Sequence, residues 1–225
     1  MKSRLFFLLM IFMLSFSLAS AQTTESVKIS YAIVGGLNFQ NLNGNAYNGD
    51  KLNNNMLMGY HIGVNMQIPV APEFFFQPGL LYTTKGAKST NGSFKETYKL
   101  NYLEIPLNFV YKGLLGNGYV LVGFGPYFGY GIGGKLITDD GSLTVKRDIK
   151  FQKVVEPGDP VEVAYFKSFD AGANIFAGYE MASGIFLQLN TQFGMLKINP
   201  DDRRVANDKS SVKNTGFGVS LGYRF

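Results

Sequence analysis

The last fourteen residues of the chain, VKNTGFGVSLGYRF at 212–225, decide the fold. Counted back from the terminus, one alternate set is apolar apart from a threonine, and it comprises Phe225, Tyr223, Leu221, Val219, Phe217 and Thr215. The intervening set is small, polar or charged, and it comprises Arg224, Gly222, Ser220, Gly218, Gly216 and Asn214. A period of two predicts a β-strand whose faces meet different surroundings. A final strand that ends on an aromatic residue favours a transmembrane β-barrel over a soluble sandwich.

Seven earlier stretches alternate in the same way. They are residues 28–40, 56–68, 74–85, 98–112, 119–134, 165–180 and 185–196. Each is long enough for the roughly 9–11 residues that a tilted strand needs to cross a bilayer, and beyond residue 22 no window has the roughly 18 apolar residues of a membrane helix. The sequence therefore predicts an all-β fold, an eight-stranded antiparallel up-and-down transmembrane β-barrel.

The connections between these stretches alternate in length. The long ones are 41–55, 86–97, 135–164 and 197–211, and the short ones are 69–73, 113–118 and 181–184. Membrane barrels have short periplasmic turns and longer extracellular loops, whereas a soluble barrel has no reason to sort its loops by parity. We expect both termini on the periplasmic side. Within the longest loop, residues 142–151 could extend a hairpin above the membrane or form a solvated loop.

The amino terminus predicts export. Lys2 and Arg4 precede an apolar run at 5–18, and Ala19 and Ala21 fit the small-x-small cleavage rule, which leaves Gln22 as the first mature residue. An uncleaved membrane anchor is the alternative, but the apolar run is short for a span. We therefore predict a signal peptide at 1–21, a barrel domain at 22–225 and an integral location in a bacterial outer membrane.

The composition excludes several classes of protein. The chain has 27 glycines, 33 phenylalanine and tyrosine residues and 16% charged residues. Its net charge of +5 falls to +3 without Lys2 and Arg4, too small and too scattered an excess to indicate a nucleic-acid partner. Cysteine is absent, so disulfides, thiolate metal sites and an amino-terminal lipid anchor are not available.

Two motifs could suggest chemistry. Gly129, Gly131 and Gly134 match G-x-G-x-x-G, but a dinucleotide site needs a helix directly after the glycines, and a polar stretch follows here. His61 is the only histidine and lies mid-strand on the inward face, without the rim of acidic or hydroxyl partners that a hydrolase would need. We expect a hydrogen-bonded lumen residue, and we predict no catalytic residue, cofactor or metal site.

Four pieces of the chain resemble a known family. They are YLEIPLNFVYK at 102–112, GFGPYFGYGIGGK at 123–135, FDAGANIFAGYE at 169–180 and the terminal GVSLGYRF. Together they resemble the PorT-like outer-membrane β-barrel proteins of Bacteroidetes, a porin-like family whose members mostly lack an established activity. The resemblance implies that the barrel-assembly machinery reads the last strand, with Phe217, Tyr223 and Phe225 as its signal.

Charged residues also fall on inward positions. They are Glu104, Glu180, Lys85, Lys112 and Arg224. Because an unpaired buried charge costs several kcal/mol, we expect these groups to be paired. Glu180 and Arg224 are predicted at similar depth near the periplasmic end, and Glu104 is expected to join that pair from above.

These observations favour a non-enzymatic outer-membrane barrel with a lumen filled by side chains. We expect it to act structurally or as a binding surface through its extracellular loops, with membrane lipid around the barrel and a protein at the loops as candidate partners. A narrow porin or small-solute channel is the main alternative, although eight strands enclose little space and open channels need roughly sixteen. An accessory component of an outer-membrane secretion or assembly complex is a further alternative.

Overall fold

The computed structural model describes residues 28–225. The predicted cleavage residues Ala19, Ala21 and Gln22 lie outside this range. Thirteen strands run in chain order: β1 Ser30–Asn45, β2 Asn55–Ala71, β3 Phe74–Asn91, β4 Phe94–Leu115, β5 Gly118–Asp139, β6 Thr144–Asp148, β7 Lys150–Phe151, β8 Val154–Val155, β9 Tyr165–Phe166, β10 Phe169–Met181, β11 Ile185–Gly194, β12 Asp201–Asp202 and β13 Ser211–Arg224. In this part of the chain no helix is long and apolar enough to span a membrane.

Eight of these strands close into a barrel. Antiparallel neighbours follow the order β10-β11-β13-β1-β2-β3-β4-β5, and β5 pairs with β10 to complete the ring. The first and last strands are joined from Ala32–Arg224 to Asn45–Ser211, so the carboxyl-terminal strand is an integral part of the wall. Closure leaves no unpaired strand edge within the ring. The predicted eight-stranded antiparallel barrel is confirmed.

The two faces of the wall differ as the alternation predicts. Outward side chains such as Ile33, Phe124 and Leu189 are 54%, 61% and 61% exposed. Their inward neighbours are buried, and the inward glycines make room for large rings: Gly123 lies under the ring of Phe176 and Gly222 under that of Phe186. An apolar exterior around a filled interior is the pattern of a small membrane barrel.

The two ends of the barrel are unlike. One end, called here the turn end, carries the short connections β2–β3, β4–β5 and β10–β11 and both ends of the described chain. Left-handed residues make these turns possible, with Gly116 at φ 60° and Gly184 at φ 90°. The opposite end, called the loop end, carries the connections β1–β2, β3–β4, β5–β10 and β11–β13.

One predicted long loop is wrong. Residues 86–97 were expected to connect two strands, but β3 and β4 stay paired as far as Asn91–Phe94, and only residues 92 and 93 form the turn. From residue 88 to residue 97 the side chains of both faces are at least partly exposed, so the apolar-polar alternation that marked the strands ends there. The stretch 142–151 does extend a hairpin, because β6 pairs with β5 from Lys135–Asp148 to Asp139–Thr144.

The sixth barrel strand also begins later than predicted. β10 starts at Phe169, whereas residues 165–166 form β9, which pairs in parallel with β7. A second parallel pair joins β8 to β12. Because β8 lies in the β5–β10 loop and β12 in the β11–β13 loop, these two loops are hydrogen-bonded to each other over the loop end.

Candidate functional site

The lumen near the turn end holds a charged cluster. The Arg224 Nε atom lies 3.0 Å from Glu180 Oε2, and the Lys112 Nζ atom lies 2.5 Å from Glu180 Oε1. Arg224 also donates to Asn65 Oδ1 at 3.3 Å and to Gln77 Oε1 at 3.4 Å. Glu180 and Arg224, predicted to lie at the same depth, are thus in contact. We call Lys112, Glu180 and Arg224 the turn-end cluster.

A second charged cluster lies closer to the loop end. The Lys85 Nζ atom is 2.7 Å from Glu104 Oε2 and 3.2 Å from Asp170 Oδ2, and all three side chains are at most 1% exposed. The ammonium also lies 4.0 Å from the centre of the Tyr127 ring, within the range of a cation–π contact. Asn214 Nδ2 donates to Asp170 Oδ2 at 2.9 Å. We call Lys85, Glu104 and Asp170 the loop-end cluster.

The prediction that Glu104 joins the Glu180–Arg224 pair is wrong, because Glu104 belongs to the loop-end cluster. Glu104 lies opposite Gly129 of β5, whereas Glu180 lies opposite Tyr119 of the same strand. Ten residues along a strand correspond to about 33 Å at 3.3 Å per residue. Glu104 is therefore too far along the wall to join the turn-end cluster.

The register of the strands explains why Glu104 lies near Asp170 and not near the Glu180–Arg224 pair. Asp170 in β10 also lies opposite Gly129, so Glu104 and Asp170 flank this glycine from the two neighbouring strands. Gly129 has no side chain to fill the space between the two carboxylates. Asp170 is the residue that sequence reasoning left out of the network. Its inward position could be read from the alternation, but its depth relative to Glu104 depends on the register of β10 against β5.

Neutral polar groups occupy the lumen between the two clusters. His61 Nδ1 is hydrogen-bonded to Asn38 Oδ1, and Nε2 lies 2.8 Å from Ser220 Oγ. Asn38 Nδ2 donates to Thr83 Oγ1 at 2.9 Å, which leaves Asn38 Oδ1 as an acceptor. We therefore assign the proton to Nδ1, and Nε2 accepts from the Ser220 hydroxyl. The histidine thereby acts as a hydrogen-bonded lumen residue.

The charges of the lumen balance overall but not within each cluster. Lys85, Lys112 and Arg224 face Glu104, Asp170 and Glu180. The turn-end cluster has two cations for one carboxylate, and the loop-end cluster has two carboxylates for one cation. Losing the minority group in either cluster would leave two like charges buried together.

Apolar side chains close the lumen beyond the loop-end cluster. Ile149, Phe166 and Ile198 come from the loops and are 6%, 6% and 0% exposed. They pack on the wall residues Leu42, Ala87, Leu100, Tyr102 and Leu136. We call this group of eight residues the apolar plug. Below it lies a cavity of about 80 Å³ that is lined mainly by polar side chains and has room for ordered waters.

The remaining residues singled out in the sequence lie in the wall. Gly129, Gly131 and Gly134 belong to β5, which continues as a strand to Asp139. Phe217 faces outward and stacks on Phe39 of β1 with ring centres 5.1 Å apart. At the turn end, the rings of Tyr223 and Phe225 meet edge to face at 5.0 Å. The backbone N–H of Phe225 donates to the carbonyl of Tyr31 at 2.8 Å.

The family model that matches the chain agrees with this architecture. Residues 20–199 match the family model described as "Outer membrane protein beta-barrel domain". The attachment invasion locus protein Ail of Yersinia pestis shares 12% identity at a TM-score of 0.41, over 87% of this chain and 98% of Ail. Another structure of Ail, with the heparin analogue sucrose octasulfate, shares 11% identity at 0.41, over 88% and 99%.

Neisserial surface protein A shares 10% identity at a TM-score of 0.44, over 88% of this chain and 99% of that protein. Among curated proteins, no sequence matches the chain. The family match covers most of the chain, and the closed barrel carries an apolar exterior. The chain belongs to the outer membrane protein beta-barrel domain family and is integral to the outer membrane.

Proposed function

We propose that this protein is a closed, non-enzymatic outer-membrane barrel that acts through its loop end as an extracellular interaction surface. The observation that carries the proposal is the apolar plug, in which Ile149, Phe166 and Ile198 from the loops fill the mouth of the barrel. A plugged mouth removes a route for solutes. The same packing fixes the loops above it, and fixed loops bind partners with a smaller loss of conformational entropy.

Two features support a scaffold role over a narrow porin. The lumen charges are paired across the barrel, and the cavity between the clusters holds only about 80 Å³. Eight strands leave an interior that side chains can fill. An accessory component of a complex on the periplasmic side would need a binding surface at the turn end, where the connections are tight turns such as residues 116 and 117.

Several finer assignments belong to the same proposal. We infer that the chain is a PorT-like member of its family, on the four sequence pieces that carry that resemblance. We also propose that the signal peptide is cleaved after Ala21 and that the assembly machinery recognises Phe217, Tyr223 and Phe225. The extracellular partner is proposed to be held by the loops that close the mouth.

The proposal places the loop end on the extracellular side. Because the sequence has no cysteine, single introduced cysteines can test this orientation directly. Single cysteines at Leu143 and Val161, which are 63% and 78% exposed at the loop end, would report on the extracellular side. Asn117 and Ser183, exposed in the turns of the opposite end, provide matched controls. A membrane-impermeant maleimide applied to intact cells should label L143C and V161C and spare N117C and S183C.

A photoreactive maleimide on the same variants tests the interaction itself. Cross-links that form from the loop positions and not from the turns would support an extracellular partner. Cross-links confined to N117C and S183C in permeabilised cells would instead favour the accessory-component alternative. Labelling of the turn positions in sealed cells would overturn the orientation and the proposal together.

A further inference from the structure

The loop end carries a cleft of about 340 Å³ beside the apolar plug. It lies between the β1–β2 loop, the β5–β10 loop and the β11–β13 loop, and its volume falls within the roughly 300–1,000 Å³ of small-molecule sites. Its aromatic lining includes Tyr47, Tyr98 and Tyr165, and its polar side includes Asp202, Arg204 and Asp208. We call it the loop cleft.

The loop cleft has a fixed floor. Val155 of β8 and Tyr165 of β9 are 0% and 7% exposed. The β8–β12 pair joins the two loops, and the β7–β9 pair lies within the β5–β10 loop. Backbone bonds from Lys167 to the carbonyl of Ile198 (2.6 Å) and from Arg203 to that of Val155 (2.9 Å) connect the same loops. The walls are thus held in place by backbone hydrogen bonds as well as by side-chain packing.

The donors of Arg204 are largely used inside the protein. Its Nε and Nη2 atoms donate to the two oxygens of Asp202 at 2.9 and 2.7 Å. Its Nη1 atom reaches the carbonyl of Pro160 at 3.2 Å. The guanidinium also lies 5.5 Å from the centre of the Tyr165 ring. A neutralised and stacked guanidinium leaves little to attract an anion.

Acceptors remain available in the same cleft. The carboxylate of Asp208 receives the backbone N–H and the hydroxyl of Ser210, both at 2.9 Å. A carboxylate has about four lone-pair sites, so two remain for a ligand. With two carboxylates against one guanidinium, sulfated, phosphorylated or carboxylated ligands would be repelled. A cationic ligand placed on Tyr165 would meet Arg204.

From this geometry we infer that the loop cleft binds a neutral saccharide unit. The aliphatic face of a pyranose packs on the exposed ring of Tyr47, and its hydroxyl groups donate to carboxylate oxygens such as those of Asp208. Tyr47, which is 65% exposed, supplies an aromatic side chain at the entrance. The inference rests on the proposed function, because it names the chemistry of a ligand for the extracellular loops.

The test uses the full mature protein in detergent micelles on an array of neutral glycans. Sulfated and sialylated forms of the same backbones are included, and soluble methyl glycosides serve as competitors. We expect binding to neutral backbones and not to their acidic forms. Competition by the methyl glycoside would identify a terminal sugar, and competition only by longer oligosaccharides would identify an internal unit.

Variants of Tyr47 separate binding from folding, since this side chain is exposed. Tyr47→Ala should weaken binding about tenfold, the equivalent of ~1.4 kcal/mol, whereas Tyr47→Phe should retain it because the ring remains. Leu143→Ala removes an exposed apolar side chain outside the cleft and should have no effect.

Binding only to acidic glycans, no binding at all, or equal binding by Tyr47→Ala would overturn the saccharide inference. None of these outcomes would affect the closed barrel or the orientation of its loops, which the cysteine-labelling experiment tests separately.

Discussion

The Nε atom of Arg224 lies 3.0 Å from Oε2 of Glu180, and the two side chains are only 4% and 5% exposed. The contact joins the penultimate residue of the chain to β10, two strands away in the ring. Lys112 holds the other oxygen of the same carboxylate. One carboxylate therefore bridges two cations from different parts of the wall, and the cluster keeps one net positive charge.

Removing Glu180 should cost more than removing Arg224. Glu180→Gln leaves Lys112 and Arg224 buried without a carboxylate, and we expect a loss of about 3–5 kcal/mol in unfolding free energy. Arg224→Gln leaves the Lys112–Glu180 pair intact and should cost less. Unfolding of each variant in detergent, followed by circular dichroism, measures the difference.

The double variant tests the coupling between these residues. Its loss should be smaller than the sum of the two single losses, because one interaction is removed twice in the sum. Arg203→Gln is a matched control, since Arg203 pairs with Glu156 on the exposed surface at 2.7 Å and should cost at most ~1 kcal/mol. Strictly additive losses would mean that Glu180 and Arg224 do not interact.

In the loop-end cluster, loss of the cation should destabilise the protein more than loss of a carboxylate, the reverse of the turn-end cluster. Lys85→Met leaves Glu104 and Asp170 together without a cation, so it should be the most destabilising change there, by about 3–5 kcal/mol. Glu104→Gln keeps the Lys85–Asp170 pair and should cost clearly less. Equal melting temperatures for these two variants in detergent would contradict the assigned partners.

Deletion of Phe225 should impair assembly more than stability. Its side chain is 71% exposed and makes its aromatic contact with Tyr223, so little packing is lost. We expect less protein in the outer membrane but a nearly unchanged unfolding temperature for the inserted fraction. Phe124→Ala, which removes a 61% exposed outward ring from β5, is the control and should insert normally. Undiminished insertion of the deletion variant would rule out the proposed signal.

The pair between Asp202 and Arg204 should respond to acid. The hydrogen bond from Arg204 lowers the pKa of the Asp202 carboxyl below its ordinary 3.8. Because the pKa of Asp202 is lower in the folded than in the unfolded chain, the ionised carboxylate stabilises the folded loop at pH values above the unfolded-state pKa. This stabilisation is lost as the pH falls through the folded-state pKa. The backbone N–H of Arg204 donates to Asp202 Oδ1 at 3.0 Å, so its NMR chemical shift reports on the protonation of Asp202. This chemical shift should change only below about pH 4. An identical titration in Asp202→Asn would refute the assignment.

Much of the wall could be predicted because every barrel strand alternates outward apolar residues with inward small or polar ones. Alternation identified all eight strands, and the same alternation places Asp170 on the inward face, although it was left out of the predicted charge network. The ends of the strands could not be predicted where both faces are at least partly exposed, as at residues 88–97, because the alternation disappears there.

Contacts between distant segments were also beyond the sequence pattern. The loop-end cluster depends on Glu104 and Asp170 both lying opposite Gly129, which is a matter of register. The apolar plug depends on Ile149, Phe166 and Ile198, which two different loops bring together over the mouth of the barrel. Their packing against the wall is a tertiary interaction that no local sequence pattern predicts.

Conductance across a planar lipid bilayer tests the closed lumen most directly. The purified mature protein should give no steady conductance steps, because the apolar plug and the paired charges block the interior. A porin of about sixteen strands, reconstituted in the same way, provides the positive control. Steady single-channel steps from the protein, altered by Lys85→Met, would show that ions pass the loop-end cluster and would contradict the account.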